Sequence, residues 1–599
     1  MIRFNARLAA LALPLLAAAC AAPRAGHGGL TDPAATAEAP VEVGIVAIND
    51  FHGAREPPRA GVSAPNPAGG TMTVPAGGAA WLASAVRQAQ AAHRYHLTVS
   101  AGDLTSASQF ASSSYLDEPA VGVANRIGLD FNAVGNHEFD RGWRELLRLQ
   151  RGGCEKLTNA EPCRIEPFPG AKFRYLAANV VGPDGQTIFP ATALRSFGRG
   201  SRKVTVGVVG LTLRGTPDLV SPDRIAGLRF TDEADAINAG VTSLKAQGAQ
   251  AVVVLIHQGI RTGTSSAGVQ DPNGCDKPAG DLSAVLARLD PRVDLVVSGH
   301  THWAYVCEFS RRTGDGADGG PLLFTSAGLY GKLVTDITLA IDPVAGRVVS
   351  RKANNVIVQS EAYPGAGGPV PLTDAYPRFA PAPDVAQFVA RYVAGAKASA
   401  AQVIGHLSGP ATKGGSAESA TGGALGHLIA DAQLAASRGA GAQIALMNPF
   451  GIRAPLVPKQ GGAVTFGDVF QVQPFANRLM TLSLSGSALK AVLEQGLDDT
   501  GPKQWLSPSK GFEFGYDMAR ASGDRVLAMT LGGMAIDPAK TYRVTINSFL
   551  AQGGDGFSLF TKGTDPALSG TDLEALETWI KVVPLRSVPT ENREQPVLR

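Results

Sequence analysis

Eight polar residues stand out by type and by position: Asp50, His52, Asp103, Asn136, His137, His257, His300 and His302. Each falls just past an apolar run or inside a Gly-flanked turn. Imidazole, carboxylate and amide donors without a thiolate suit borderline divalent cations such as Zn, Mn or Fe. Taken singly, each has a plain alternative. Asp50-Phe51-His52 reads as a turn with a solvated pair, and His257 as a satisfied core histidine. Gly299-His300-Thr301-His302 is stronger, because two imidazoles two residues apart on an extended segment point to the same side. Five such segments in one chain are hard to attribute to chance.

The elements that must position these groups are continuous apolar runs: Val41 to Asn49, His96 to Ser100, Val204 to Leu211, Ala251 to Ile256 and Val293 to Ser298. Helix-compatible stretches such as Ala79 to Ala92 and Thr231 to Gln247 lie between them. Buried strands alternating with helices predict an α/β layered core, and in such cores ligand sites gather at the carboxyl ends of strands. A Pro- and Gly-rich stretch over 355–383 follows, after which Asp384 is expected to cap a helix through Val385, Phe388, Val389 and Tyr392 to about Ala398. A second mixed region begins near Val403. It carries an expected helix from Leu425 to Ala436 and strands near Ile444 to Asn448, Leu479 to Leu484 and Tyr542 to Asn547. The chain has 599 residues, 44% hydrophobic and 18% charged, enough for several cores. A net charge of +3 excludes a basic field suited to nucleic-acid polymers.

Asp50-Phe51-His52, Gly102-Asp103, Gly135-Asn136-His137-Glu138, His257 and Gly299-His300-Thr301-His302 together resemble the calcineurin-like metallophosphoesterase signature. The longer Gly135-Asn136-His137-Glu138-Phe139-Asp140 and the second domain narrow the resemblance to 5'-nucleotidases and UDP-sugar hydrolases. It covers nearly the whole chain, from about 42 to about 585. It implies an N-terminal four-layer α/β/β/α domain over 41–355, a linker with a helix over 356–400, and a C-terminal α/β substrate-binding domain over 401–590. It implies two divalent ions (Zn, Mn or similar), one on Asp50, His52 and His302, the other on Asn136, His257 and His300, bridged by Asp103. Such a pair, ~3.5–4 Å apart, clamps a phosphate and makes hydroxide from water at neutral pH for in-line attack on phosphorus. His137 would contact the phosphoryl oxygen and Asp140 would orient its ring, although Asp140 also reads as a helix N-cap ahead of Trp143.

Asn448-Pro449-Phe450-Gly451-Ile452-Arg453 resembles the family's Asn-x-Gly-Gly-Ile-Arg loop, with Phe450 in place of a glycine. By the same resemblance Phe475 and Phe549 are the base-stacking aromatics, Asn477 lies near the base, and Asp555 meets the ribose hydroxyls. Stacking contributes ~1–3 kcal/mol per base, and a carboxylate accepts from a ribose diol. The usual alternative for a single Phe is core packing, and for Gly553-Gly554-Asp555-Gly556 a tight turn. One departure concerns the arginine that the family carries before the helix near Leu425. Here the segment offers Lys413, Glu418 and Thr421-Gly422-Gly423, which leaves dinucleotides, nucleotide sugars and 2',3'-cyclic nucleotides as further substrates. Two other readings keep parts of this picture: a dimetal hydrolase of a thiosulfate-type carrier conjugate, and a lipid-anchored binding protein with a vestigial site.

The first residues do not belong to the fold. Arg3 and Arg7 precede an apolar run, Leu8 to Ala19, that is too short to span a membrane and fits an export signal over 1–19, with a tether over 20–40. Leu15 to Cys20 resembles a lipoprotein signal, with Ala17 at a position usually Leu, Val or Ile; an ordinary cleaved signal with an incidental Cys20 is the alternative. Both place the protein in the periplasm or cell envelope, with a lipid on Cys20 as the expected membrane link. Apart from Cys20 there are four cysteines, which allow three pairings, and nearness in sequence favours Cys154–Cys163 and Cys275–Cys307. The expected partner is a small-molecule nucleotide, and the chain is expected to act as a monomer.

Overall fold

The computed structural model describes residues 39–58, 61–263, 270–310, 321–365, 368–415, 419–475, 477–499 and 503–597. The expected signal, most of the tether, Cys20 and Glu418 lie outside the described residues. Two six-stranded sheets face each other in the N-terminal half. The first runs Arg347–Ile357, Leu333–Asp342, Val41–Ile48, His96–Ser100, Phe131–Ala133, Arg174–Leu176. The second runs Ala304–Phe309, Leu322–Ala327, Leu295–Ser298, Ala251–Ile256, Val204–Leu211, Thr192–Phe197.

The continuous apolar runs follow from burial on both faces. Along Val41–Ile48, Val43, Ile45 and Ala47 join the core between the sheets, while Val46 and Ile48 join the core under the outer helices. Val206 and Val208 face inward in the same way, and Val209 and Leu211 face the helices of the second sheet. Successive strand residues point to opposite faces, so the interior of such a strand reads as one apolar run, and the polar positions, Glu42 and Thr205, fall near its start. Helices Ala79–Ala92, Glu118–Arg126 and Trp143–Arg151 cover one sheet, and Glu233–Ala246 and Leu282–Leu286 cover the other. The result is the four-layer α/β/β/α arrangement that the family resemblance implied.

The cysteines pair as their sequence neighbours suggested, Cys154 with Cys163 and Cys275 with Cys307, with Cα–Cα distances of 5.6 and 5.3 Å. Two expected caps are corrected. Helix Pro383–Ala401 is capped by Ala382, and Asp384 lies in its first turn, paired with Arg87. Pro383 fixes the start, since a proline has no N–H to lose at the first helical position. Likewise Gly142, not Asp140, caps Trp143–Arg151. Helix Pro383–Ala401 buries Val385, Phe388, Val389, Tyr392 and Ala396 in the same core as Leu82 and Val86.

The C-terminal half holds a five-stranded sheet, Ser507–Pro508, Ile444–Met447, Thr541–Asn547, Arg478–Ser485, Thr564–Thr571. Gly423–Ala436 packs on one face and Gly486–Gly496 on the other. Phe110 of the N-terminal half reaches across to Phe466 and Phe470, at ring distances of 5.2 and 5.1 Å. No helix among the described residues is long and apolar enough to cross a membrane.

Candidate metal centre and substrate cleft

Val41–Ile48, His96–Ser100 and Phe131–Ala133 run parallel in the first sheet, and Ala251–Ile256 and Leu295–Ser298 run parallel in the second. Their carboxyl ends deliver all eight polar residues to one place. The backbone turns sharply there: Asp50, His52, Asp103, His300 and His302 all have positive φ, between 47° and 71°. Non-glycine residues in this region cost on the order of 1–3 kcal/mol each and persist where the surroundings over-determine them.

The side chains converge closely. His52 Nε2 lies 3.3 Å from His302 Nε2, and Asp50 Oδ1 lies 3.4 Å from the latter. His257 Nε2 lies 3.0 Å from Asn136 Oδ1, and His300 Nδ1 lies 3.1 Å from the same oxygen. Between the two groups, Asp103 Oδ2 stands 3.7 Å from His52 Nε2 and 3.1 Å from His257 Nε2. Asp50, His52, Asp103 and His257 are buried.

The donor chemistry fits cations. His52 Nδ1 donates to the Ser106 carbonyl at 2.9 Å and His257 Nδ1 to the Ala101 carbonyl at 2.8 Å, which leaves each Nε2 as a lone pair directed inward. A lone pair of His52 then faces a ring nitrogen of His302, and His257 faces two oxygen acceptors. Such contacts repel unless a positive charge sits among them. Two buried carboxylates add to that need, since desolvation costs several kcal/mol per ion without compensation. Burial pushes Asp50 up to about 7, with Asp103 adding to it, and pushes His52 and His300 down to about 3. His257 goes the other way: burial alone would lower it, but Asp103 holds it up to about 10, so that with no cation between them a proton on Nε2 faces the Asp103 carboxylate instead.

His137 stands beside this cluster, its ring edge-on to His52 at 5.3 Å. Its Nδ1 donates to Asp140 Oδ2 at 2.8 Å, and against the opposing effect of burial Asp140 raises its pKa. Glu138, quoted in the motif but given no role, is a backbone clamp. Its carboxylate accepts from the N–H groups of Gly135, Asp103 and Leu104 at 2.6, 2.8 and 2.7 Å.

A cleft of roughly 1460 Å³ runs from this cluster into the C-terminal half and is lined by Asn448, Arg453, Phe475, Asn477, Phe549 and Asp555. Phe475 stacks on His137 at 5.7 Å and 11°, and the Arg453 guanidinium lies 5.9 Å from the Phe475 ring. Arg453 Nη2 is buried with no hydrogen-bond partner, a donor held ready for an anion. Phe549 lies against Gly554, where any side chain would meet its ring. The Asn448 amide is engaged at both ends, accepting from Asn547 Nδ2 at 2.9 Å and donating to Asp555 Oδ2 at 2.7 Å. It therefore positions Asp555, whose carboxyl burial pushes up to about 6. The Pro449–Gly451 turn puts Phe450 on the cleft wall. Lys413 also lines the cleft, its Nζ donating to the Ile452 carbonyl at 3.3 Å beside Arg453. Asn547 and Asp572 went unnoticed in the sequence, because neither sits in a motif or at a telling spacing.

Fold and site together define a metallophosphoesterase with a second domain closing over its metal-facing edge. The family model described as calcineurin-like phosphoesterase matches residues 44–304, and that of the 5'-nucleotidase C-terminal domain matches residues 403–562. The chain belongs to this family of calcineurin-like phosphoesterases with a 5'-nucleotidase C-terminal domain, and it is a phosphoric ester hydrolase. Among relatives, the endonuclease YhcR of Bacillus subtilis is 28% identical over 90% of this chain, which spans only 40% of that protein's length. The NAD 5'-nucleotidase of Haemophilus influenzae is 23% identical, with 92% of each chain covered. The crystal structure of a 5'-nucleotidase precursor from Thermus thermophilus superposes with a TM-score of 0.70 at 24% identity, covering 93% of this chain and all of that one.

Proposed function

We propose that the protein is an exported, metal-dependent hydrolase of nucleotide phosphoesters of the 5'-nucleotidase type, serving nucleotide and phosphate scavenging. The observation that carries this reading is a single cleft with a cation-seeking cluster at one end and Phe475, Phe549, Arg453 and Asp555 at the other. Two disulfides agree with an oxidising compartment outside the cytoplasm.

Asp50, His52 and His302 would hold one divalent ion, and Asn136, His257 and His300 the other, with Asp103 facing both. Bound there, the ions would supply Lewis acidity toward the phosphoryl oxygens and toward water, so that no covalent enzyme intermediate is required. The chain's own residues do the rest. Asp140 fixes the His137 tautomer and favours its charged form, and His137 Nε2–H then donates to the phosphoryl oxygen as negative charge builds. Arg453 offers a fixed donor fork to phosphate or ribose oxygens, and Asp555, aimed by Asn448, accepts from the ribose diol. The aromatic rings take the base, which a sulfur-carrier substrate would leave without purpose. An intact ligand set likewise argues against a vestigial site.

The test is hydrolysis by the purified chain, with Mn or Zn added, of AMP, UDP-glucose, NAD and 2',3'-cyclic AMP, alongside an Asp103→Ala control. Hydrolysis of at least one of them, abolished in the control, is the expected result. No hydrolysis of any despite bound metal would end the nucleotidase reading.

A further inference from the structure

The base end of the cleft carries a polar pair whose chemistry is directional. Asn477 lies two residues from Phe475 on the cleft wall, and Asp572 lines the same wall although it is only 2% exposed. The two are tied twice. The Asp572 N–H donates to the Asn477 carbonyl at 2.8 Å, and Asn477 Nδ2 donates to Asp572 Oδ2 at 3.4 Å. The other Asp572 oxygen accepts from the Leu573 N–H at 2.8 Å, at the start of helix Asp572–Lys581. An ionised carboxylate only accepts, so the Asn477 group facing it has to be the amide nitrogen. That assignment sets the opposite end of the amide.

We infer that Asp572 locks Asn477 with its carbonyl oxygen toward the bound base, so that the site selects bases bearing an exocyclic amino group. The inference rests on the nucleotidase reading and deepens it. A fixed acceptor receives a hydrogen from the 6-amino group of adenine or the 4-amino group of cytosine. Against the 6-oxo group of hypoxanthine or guanine, or the 4-oxo group of uracil, it meets another acceptor, and a buried acceptor left unpaired is costly. The second N–H of Nδ2 remains available for adenine N7, the two-point contact by which asparagine reads adenine elsewhere. Phe475 and Phe549 do not discriminate in this way, because every base presents a π-face. Asp572 is in this account a positioning residue, acting through Asn477.

The experiment compares kcat/KM for AMP against IMP and for CMP against UMP at pH 8, above the value of about 7 to which burial pushes the Asp572 carboxyl. The full chain is used, with metal content and melting temperature measured alongside. AMP and CMP are expected to exceed their oxo counterparts by about tenfold. In Asp572→Asn, whose amide can present either end to Asn477, both ratios are expected to fall toward one. Asn477→Ala is expected to do the same, which keeps the test open if the first variant folds poorly. Equal rates for AMP and IMP in the unaltered chain would overturn the inference while leaving the nucleotidase intact. Hydrolysis of bis-p-nitrophenyl phosphate with none of the four nucleotides, UDP-glucose, NAD or 2',3'-cyclic AMP turned over would overturn the nucleotidase reading itself.

Discussion

At the scale of single residues, the groups that could be read from sequence were those whose chemistry is unusual at the end of an apolar run. Asp50, His52, Asp103 and His257 could be singled out because a buried strand seldom ends in such groups without a use for them. Their supports could not, because a support is defined by a contact and not by a type. Asp117 is the clearest case. It is fully buried, accepts from the Ser106 N–H at 3.1 Å, and is ion-paired with Arg141. Arg141 also donates to the hydroxyls of Ser106 and Ser113 at 3.1 and 2.8 Å. The Ser106 carbonyl is what holds the His52 tautomer, so Arg141 and Asp117 govern His52 from one step behind. Arg141→Gln is expected to weaken divalent-metal affinity about 10- to 100-fold, the usual effect of losing such a support, as read by titration calorimetry on the metal-free chain. Unchanged affinity would show that the Ser106 turn holds itself.

At the scale of elements, strand interiors agreed with the sequence to within a residue or two because burial on both faces leaves no choice of pattern. Val204–Leu211 and Ala251–Ile256 emerge with the expected limits. Helix starts were less legible: Asp232 caps Glu233–Ala246 by accepting from Asp235, whereas Asp384 sits too far inside its helix to cap it. The Cys275–Cys307 bond closes a loop of sequence separation 32 that contains Leu295–Ser298, His300 and His302. By chain-entropy reasoning a loop of that length contributes about 3–4 kcal/mol. The double variant Cys275→Ser and Cys307→Ser should therefore lose about that much stability in urea. A loss below about 1 kcal/mol would mean that the two sheets already hold the loop.

At the scale of the molecule, the relation between the halves came only through the family resemblance, because no local pattern encodes it. Phe475 comes from the C-terminal half and stacks on His137 of the N-terminal half, joining the proposed base seat to the proposed reacting end. Phe475→Ala should raise KM for nucleotides about tenfold or more, by loss of stacking, and leave the KM of p-nitrophenyl phosphate within about twofold. A matching rise for both substrates would assign the ring to holding the halves together. The metal-facing cluster has a similar dependence on the whole. Its residues come from both sheets, so neither sheet alone carries a complete set, and the cluster exists only after the two sheets have met. On the proposed export as an unfolded chain, metal loading would follow folding. The ion acquired would then be decided by which cations are abundant where folding finishes, making the address of the protein part of its metal selectivity.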